Sequence, residues 1–86
     1  MQYFVYILES LVSHGYYCGQ TNDIIKRLRR HNSGEMQSTK AYRPWKLIGY
    51  VCFDNRTLAV QLETRIKSRG IERWLRENYH LLVQPR

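Results

Sequence analysis

The sequence predicts an α+β fold: a small three-stranded antiparallel sheet with flanking helices, in the order ββαβαα. Three observations lead there. Two runs dense in β-branched and aromatic residues, Tyr3 to Leu8 and Tyr16 to Gln20, are separated by one short connection, which is the pattern of an antiparallel pair. A third such run, Lys46 to Phe53, stands between two stretches of helical spacing. The order sets a small antiparallel sheet apart from the helices, an α+β arrangement.

Each element has its own signal. In YFVYIL the side chains alternate, so Phe4, Tyr6 and Leu8 share one face and Tyr3, Val5 and Ile7 the other. Glu9 to Gly15, with two serines and a glycine, reads as a hairpin connection, and YYCGQ resumes the strand. Thr21, Asn22 and Asp23 then offer side-chain oxygens to the first free N–H groups of a helix. Ile24, Ile25 and Leu28 give that helix an apolar stripe, and Gly34 stops it, so it spans Asp23 to Ser33. Glu35 to Pro44 is polar and basic without a period and reads as a loop. After the third strand, Asn55 or Thr57 caps a second helix with Leu58, Leu62 and Ile66 as its stripe, ending before Gly70. Ile71 to about Tyr79 is a third helix with Trp74 and Leu75 on its buried side, and Leu81 to Val83 docks back on the body.

Eighty-six residues fit one domain over 1–86, with 43% apolar residues to build a core and no repeat, linker or low-complexity tract. Fourteen Lys and Arg against seven Asp and Glu give a net charge of +7. That excess favours a polyanionic partner, since each neutralised phosphate releases condensed counterions; a basic but merely soluble surface is the plainer reading. Cys18 and Cys52 fall in separate strand runs, with no CxxC or Cys/His cluster. Buried small side chains explain them better than a disulfide or a zinc pair. No apolar run approaches the ~20 residues that span a bilayer, and the N-terminus lacks the basic start and long apolar stretch of a secretion signal. A cytoplasmic protein is expected.

Four features then follow in a fixed order: Tyr6 on the first strand, Tyr17-Cys18-Gly19 on the second, Arg27 on the first helix and Glu63 on the second. This ordered set resembles the GIY-YIG nuclease family, and within it the small stand-alone bacterial members. Phe4-Val5-Tyr6 and Tyr17-Cys18-Gly19 stand where the two naming tripeptides stand, and the blocks Phe4 to Leu8, Tyr17 to Gly34, Pro44 to Ile48 and Ala59 to Lys67 also match. The resemblance covers about residues 3 to 70. It departs from the family at Phe4, where the name has Gly, and at Cys18, where it has Ile. The asparagine that many of these nucleases carry after the glutamate has Asn78 as its candidate, by order alone.

The resemblance implies metal-dependent hydrolysis of phosphodiesters, with Tyr6, Tyr17, Arg27, His31 and Glu63 lining one site. The chemistry gives separate reasons for these residue types. Hydrolysis needs an activated water, a counter to growing equatorial charge and help for the leaving oxygen. Glu63 is a hard oxygen ligand suited to one Mg²⁺ or Mn²⁺ completed by waters and phosphate oxygens, and so bound together with substrate. Arg27 is a planar fork that matches phosphate. Tyr6 takes a proton from water if the metal and Arg27 lower its pKa, and Tyr17 orients water or phosphate. His31 follows Arg27 by four residues on the same helical face. It either donates to phosphate or relays a proton, or it caps the helix C-terminus.

Around this set, Lys26, Arg29, Arg30, Lys40, Arg43 and Lys46 are expected to bind nucleic acid, interleaved with Tyr42 and Trp45. Trp45 reads better as a core or loop anchor than as a stacking platform. Arg65, Lys67, Arg69, Arg73 and Arg76 form a second basic patch. The expected activity is an endonuclease or nicking enzyme on DNA, with RNA left open, selective for structure rather than sequence. The alternative is a non-catalytic nucleic-acid-binding module that keeps the fold. A third reading is an interaction adaptor that uses Trp74 and Leu81 to Val83 as a partner patch.

Overall fold

The computed structural model describes residues 1–85. The chain runs β1 (Tyr3–Ser10), β2 (Tyr16–Thr21), α1 (Ile24–Ser33), β3 (Trp45–Phe53), α2 (Arg56–Arg69) and α3 (Ile71–Asn78), with short 3₁₀ turns at Lys40–Tyr42 and Tyr79–Leu81. The sheet order is β2-β1-β3, and both pairings are antiparallel. β1 takes the centre because it is apolar on both faces: Val5, Tyr6, Ile7 and Leu8 are all buried. Its register with β3 steps between Ile7↔Gly49 and Leu8↔Leu47, which makes Ile48 the extra residue of a bulge.

Strand parity divides the core into two layers. Tyr6, Leu8 and Trp45, with Tyr17, Leu28, Leu47 and Tyr50 against them, form the layer under α1. Val5, Ile7 and Cys18 meet Ala59, Ile66, Trp74, Leu75 and Leu82 on the opposite face, under α2 and α3. The helix ends follow their sequence signals. The Asp23 carboxylate accepts from Lys26 N at 3.0 Å, and Gly34 takes φ 84° and donates its N–H to the carbonyls of Arg30 and His31. Of the two candidate caps of α2 it is Asn55 that serves, its Oδ1 accepting from the N–H groups of Thr57 and Leu58.

Several details differ from the sequence expectation. In α2 the buried stripe is Ala59, Leu62 and Ile66, while Leu58 is 46% exposed. Spacings of four drift about 40° per step around a helix with 3.6 residues per turn, so Leu58 and Ile66 cannot both face the sheet squarely. In α1, Ile25 is 71% exposed although Ile24 is partly buried. Cys18 is buried and Cys52 is exposed, and both are free thiols. Cys52 pairs with Phe4 at the end of an edge strand, where burial is incomplete. Trp74 is buried in the core and so cannot form a partner patch; of that group only Leu81 and Val83 are exposed. Val83 instead exchanges backbone hydrogen bonds with Tyr50 and seals part of the outer edge of β3. Among the described residues no helix is long and apolar enough to cross a membrane.

Candidate active site

The β1–β2 register builds the centre of the site. Tyr6 lies opposite Gly19, and Leu8 lies opposite Tyr17, so the two tyrosines are diagonal neighbours on the α1 face, with ring centroids 6.3 Å apart. His31, in the last turn of α1, descends onto both rings, with centroids 5.8 Å from Tyr6 and 5.0 Å from Tyr17. The Tyr6 hydroxyl lies 2.9 Å from His31 Nε2, and Nδ1 of the same ring lies 2.8 Å from Thr39 Oγ1. Arg27, one turn earlier on α1, donates from Nη1 to the Gln20 carbonyl at 3.5 Å and brings its charge beside Tyr6.

The electrostatics follow from burial. Tyr6 is pushed up to about 12, first by burial and then by the neighbouring Tyr17, while Arg27 pulls it the other way. The sequence reading has Arg27 lower this group; Arg27 does act in that direction, but loss of solvent outweighs it. His31 falls to about 4, first through burial and then through the positive charges of Arg27 and Arg30. The ring is therefore neutral at physiological pH, and one nitrogen carries a free lone pair. His31 is buried between Tyr6 and Thr39, so it does not serve as an exposed cap of α1.

Residues 2–72 match the family described as the GIY-YIG catalytic domain. This chain belongs to the GIY-YIG family. Among curated proteins it is similar to the UPF0213 protein YsiG of Lactococcus lactis, 41% identical over 73 residues, which are 84% of this chain and 69% of that protein. It is also similar to the UPF0213 protein HQ_3675A of Haloquadratum walsbyi, 39% identical over 67 residues, 77% of this chain and 74% of that one. The solution structure of the UPF0213 protein BH0048 from Bacillus halodurans superposes with a TM-score of 0.53 at 30% identity, covering 81% of this chain and 74% of that chain.

Glu63 approaches this GIY-YIG centre from the other side of β2. Its Oε1 accepts from Gln20 Nε2 at 3.0 Å and its Oε2 from Lys67 Nζ at 2.7 Å, and it has no other hydrogen-bond partner among the described residues. Gln20 thus links the two halves of the site: its carbonyl faces Arg27 and its side chain faces Glu63. The bond to Glu63 raises the Lys67 pKa. No group of three or more His, Cys, Asp or Glu side chains comes together among the described residues. A lone, mostly buried carboxylate fits an ion that keeps most of its waters and takes its remaining ligands from substrate, as Mg²⁺ and Mn²⁺ do. Such an ion would compete with the Lys67 ammonium for the Glu63 carboxylate.

The basic residues divide by whether they are already paired. Arg30 binds Glu35 at 3.2 Å and Lys46 binds Glu9 at 3.7 Å. The Arg43 guanidinium rests against Gly34, where a side chain would collide with it. Lys26, Arg29 and Lys40 are exposed and have no acidic partner among the described residues. In the second patch Lys67, Arg69 and Arg76 are paired with Glu63, Glu77 and Glu72. Trp45 is an anchor: it is buried, its Nε1 donates to the Thr39 carbonyl at 2.9 Å, and its backbone exchanges two bonds with the Asn32 amide. Asn78 donates to the Trp74 carbonyl of its own helix, away from the tyrosines. Sequence reasoning missed Thr39 and Gln20 altogether. Thr39 sits in a loop with no period, and Gln20 looks like an ordinary strand-end residue. Lys67 was legible as the (i, i+4) partner of Glu63.

Proposed function

We propose that this chain is a divalent-metal-dependent endonuclease or nicking enzyme that hydrolyses phosphodiester bonds in DNA and selects structure rather than sequence. The observation that carries this reading is the 2.9 Å hydrogen bond between the Tyr6 hydroxyl and Nε2 of a buried, neutral His31, on the same sheet face as Tyr17 and Arg27. A hydrolase needs a route for the proton of its water, and a neutral ring nitrogen within hydrogen-bond distance of a phenol offers one.

The roles follow from exposure. Tyr6 is only 1% exposed, so the partly buried Tyr17 and Arg27 meet substrate first. Arg27 holds the phosphate with its fork and opposes the charge that grows on the phosphoryl oxygens. Tyr17 orients the water. The water oxygen forms the new P–O bond as its proton passes to Tyr6 Oη and the Tyr6 proton crosses to His31 Nε2. The bond from phosphorus to the leaving oxygen breaks, that oxygen takes a proton from solvent, and His31 returns its own to solvent. Glu63 would hold the divalent ion, which supplies Lewis-acid neutralisation of phosphate charge when bound. Lys26, Arg29 and Lys40, unpaired among the described residues, track the DNA backbone.

One observation favours the alternative, a binding module that keeps the fold without the reaction: both Glu63 oxygens already have partners, one of them a cation. A nicking assay on branched and flapped DNA with Mg²⁺ decides between the two. The nuclease reading expects cleavage by the parent and none by Glu63→Ala, with Arg27→Ala weakening both binding and cleavage. Salt-sensitive DNA binding without cleavage under any divalent ion would leave the binding module in its place.

A further inference from the structure

The hydrogen-bond chain through His31 continues to Thr39, a residue to which the reading above gives no task. Thr39 is 1% exposed, and its Oγ1 has two neighbours, His31 Nδ1 at 2.8 Å and the Met36 carbonyl at 3.4 Å. One hydroxyl proton serves only one of them. If it went to Nδ1, the ring proton would sit on Nε2 and point at Tyr6 Oη. The Tyr6 proton would then have no acceptor among the described side chains: the Arg27 guanidinium beside it has only donors, and no hydrogen bond joins it to the neighbouring Tyr17. In the opposite assignment every proton has an acceptor: Thr39 donates to Met36, His31 Nδ1–H donates to Thr39, and Tyr6 donates to Nε2. Buried networks of this kind favour the arrangement that leaves no donor stranded.

We propose that Thr39 is a positioning residue for the reaction, holding His31 as the Nδ1–H tautomer so that Nε2 stays bare to receive the Tyr6 proton. The catalytic consequence rests on the nuclease reading; the tautomer does not. Thr39 is fixed independently of its hydroxyl. Its N–H donates to the Met36 carbonyl at 3.1 Å and its carbonyl accepts from Trp45 Nε1 at 2.9 Å. Asn32 ties Trp45 in turn to α1, which also carries His31. Replacing the hydroxyl by a methyl therefore removes the orienting bond and leaves the loop in place. This is the logic by which the partner of one ring nitrogen sets the role of the other.

The test reads the His31 ring nitrogens by long-range ¹H–¹⁵N correlation at pH 7 in the full-length parent, Thr39→Val and Thr39→Ser, with His31→Gln assigning the signals against the exposed His14 and His80. The parent and Thr39→Ser should give a protonated Nδ1 and a bare Nε2, and Thr39→Val should lose that pattern. In cleavage, Thr39→Val should lower kcat about ten- to a hundredfold at unchanged KM, with Thr39→Ser close to the parent. A protonated Nε2 in the parent, or a Thr39→Val spectrum like the parent's, overturns the assignment. If Thr39→Val does not fold, the parent and Thr39→Ser tautomers decide alone. A parent with the expected tautomer and no cleavage would sink the nuclease reading, and the catalytic task of Thr39 with it, while leaving the orienting bond. A cleaving parent with the wrong tautomer would leave the nuclease reading but sink the orienting bond, the task of Thr39 and the transfer from Tyr6 to His31.

Discussion

Gly19 is cut to the shape of Tyr6. The two face each other across β1 and β2, and a Cβ at position 19 would stand 2.7 Å from the Tyr6 hydroxyl oxygen, 3.0 Å from its Cζ and 3.1 Å from Tyr17 Cε2. The hydroxyl reaches His31 over the place where any other residue would put a side chain. The glycine is thus required by a side chain that crosses it, and no unusual backbone angle is involved.

Gly19→Ala should destabilise the fold by about 1–3 kcal/mol through overpacking and should break the Tyr6–His31 bond. Urea unfolding measures the first effect. In a Tyr6→Phe background the closest clashing atom is gone, so the same glycine substitution should cost clearly less, by about 0.5 kcal/mol or more. Equal costs in the two backgrounds would show that the hydroxyl does not set the requirement for glycine.

His31 gives the fold a dependence on acid. Its pKa is about 4 in the native protein against an ordinary 6.5. Between those values the unfolded chain binds a proton that the native chain refuses, so stability is complete above about pH 6.5 and falls as pH drops toward 4. At about 1.4 kcal/mol per unit, the loss at the bottom of the window is on the order of 3 kcal/mol. Carboxylates titrate near the lower end too, so the comparison is with His31→Gln. Urea midpoints taken at several pH values from 7.5 to 4.5 should fall more steeply for the parent than for the variant. Parallel curves would mean that the ring is not held neutral by burial.

Glu63 and Lys67 form an ion pair where a metal is expected to bind. Lys67→Met removes the competing cation and should tighten Mn²⁺ binding by the free protein about two- to fivefold, the size that a partly exposed ion pair warrants. Glu63→Gln should abolish that binding while leaving DNA affinity equal or slightly higher, since a negative charge facing phosphate is lost. Mn²⁺ electron paramagnetic resonance reads the ion directly and needs no activity. Unchanged Mn²⁺ affinity in both variants would move the metal site away from Glu63.

The sequence by itself determined the layout. Alternation in YFVYIL put Tyr6 and Val5 on opposite faces, and Asp23 and Gly34 bounded α1 through the backbone groups they satisfy. The ordered residues Tyr6, Tyr17, Arg27 and Glu63 were enough to suggest the GIY-YIG family. These features are local, written in periods of two and 3.6 and in caps, so a single sequence carries them. What only the tertiary structure decided depends on distance between segments far apart in the chain. The face of α2 that turns inward carries Ala59, Leu62 and Ile66 and leaves Leu58 outside. The rise of Tyr6 to about 12 came from burial, which no residue type announces. The link from Arg27 to Glu63 through Gln20, and the one from Tyr6 through His31 to Thr39, join a strand, a helix and an aperiodic loop. Hydrogen bonds between such segments leave no period in the sequence, because their partners are chosen by packing after the elements have formed.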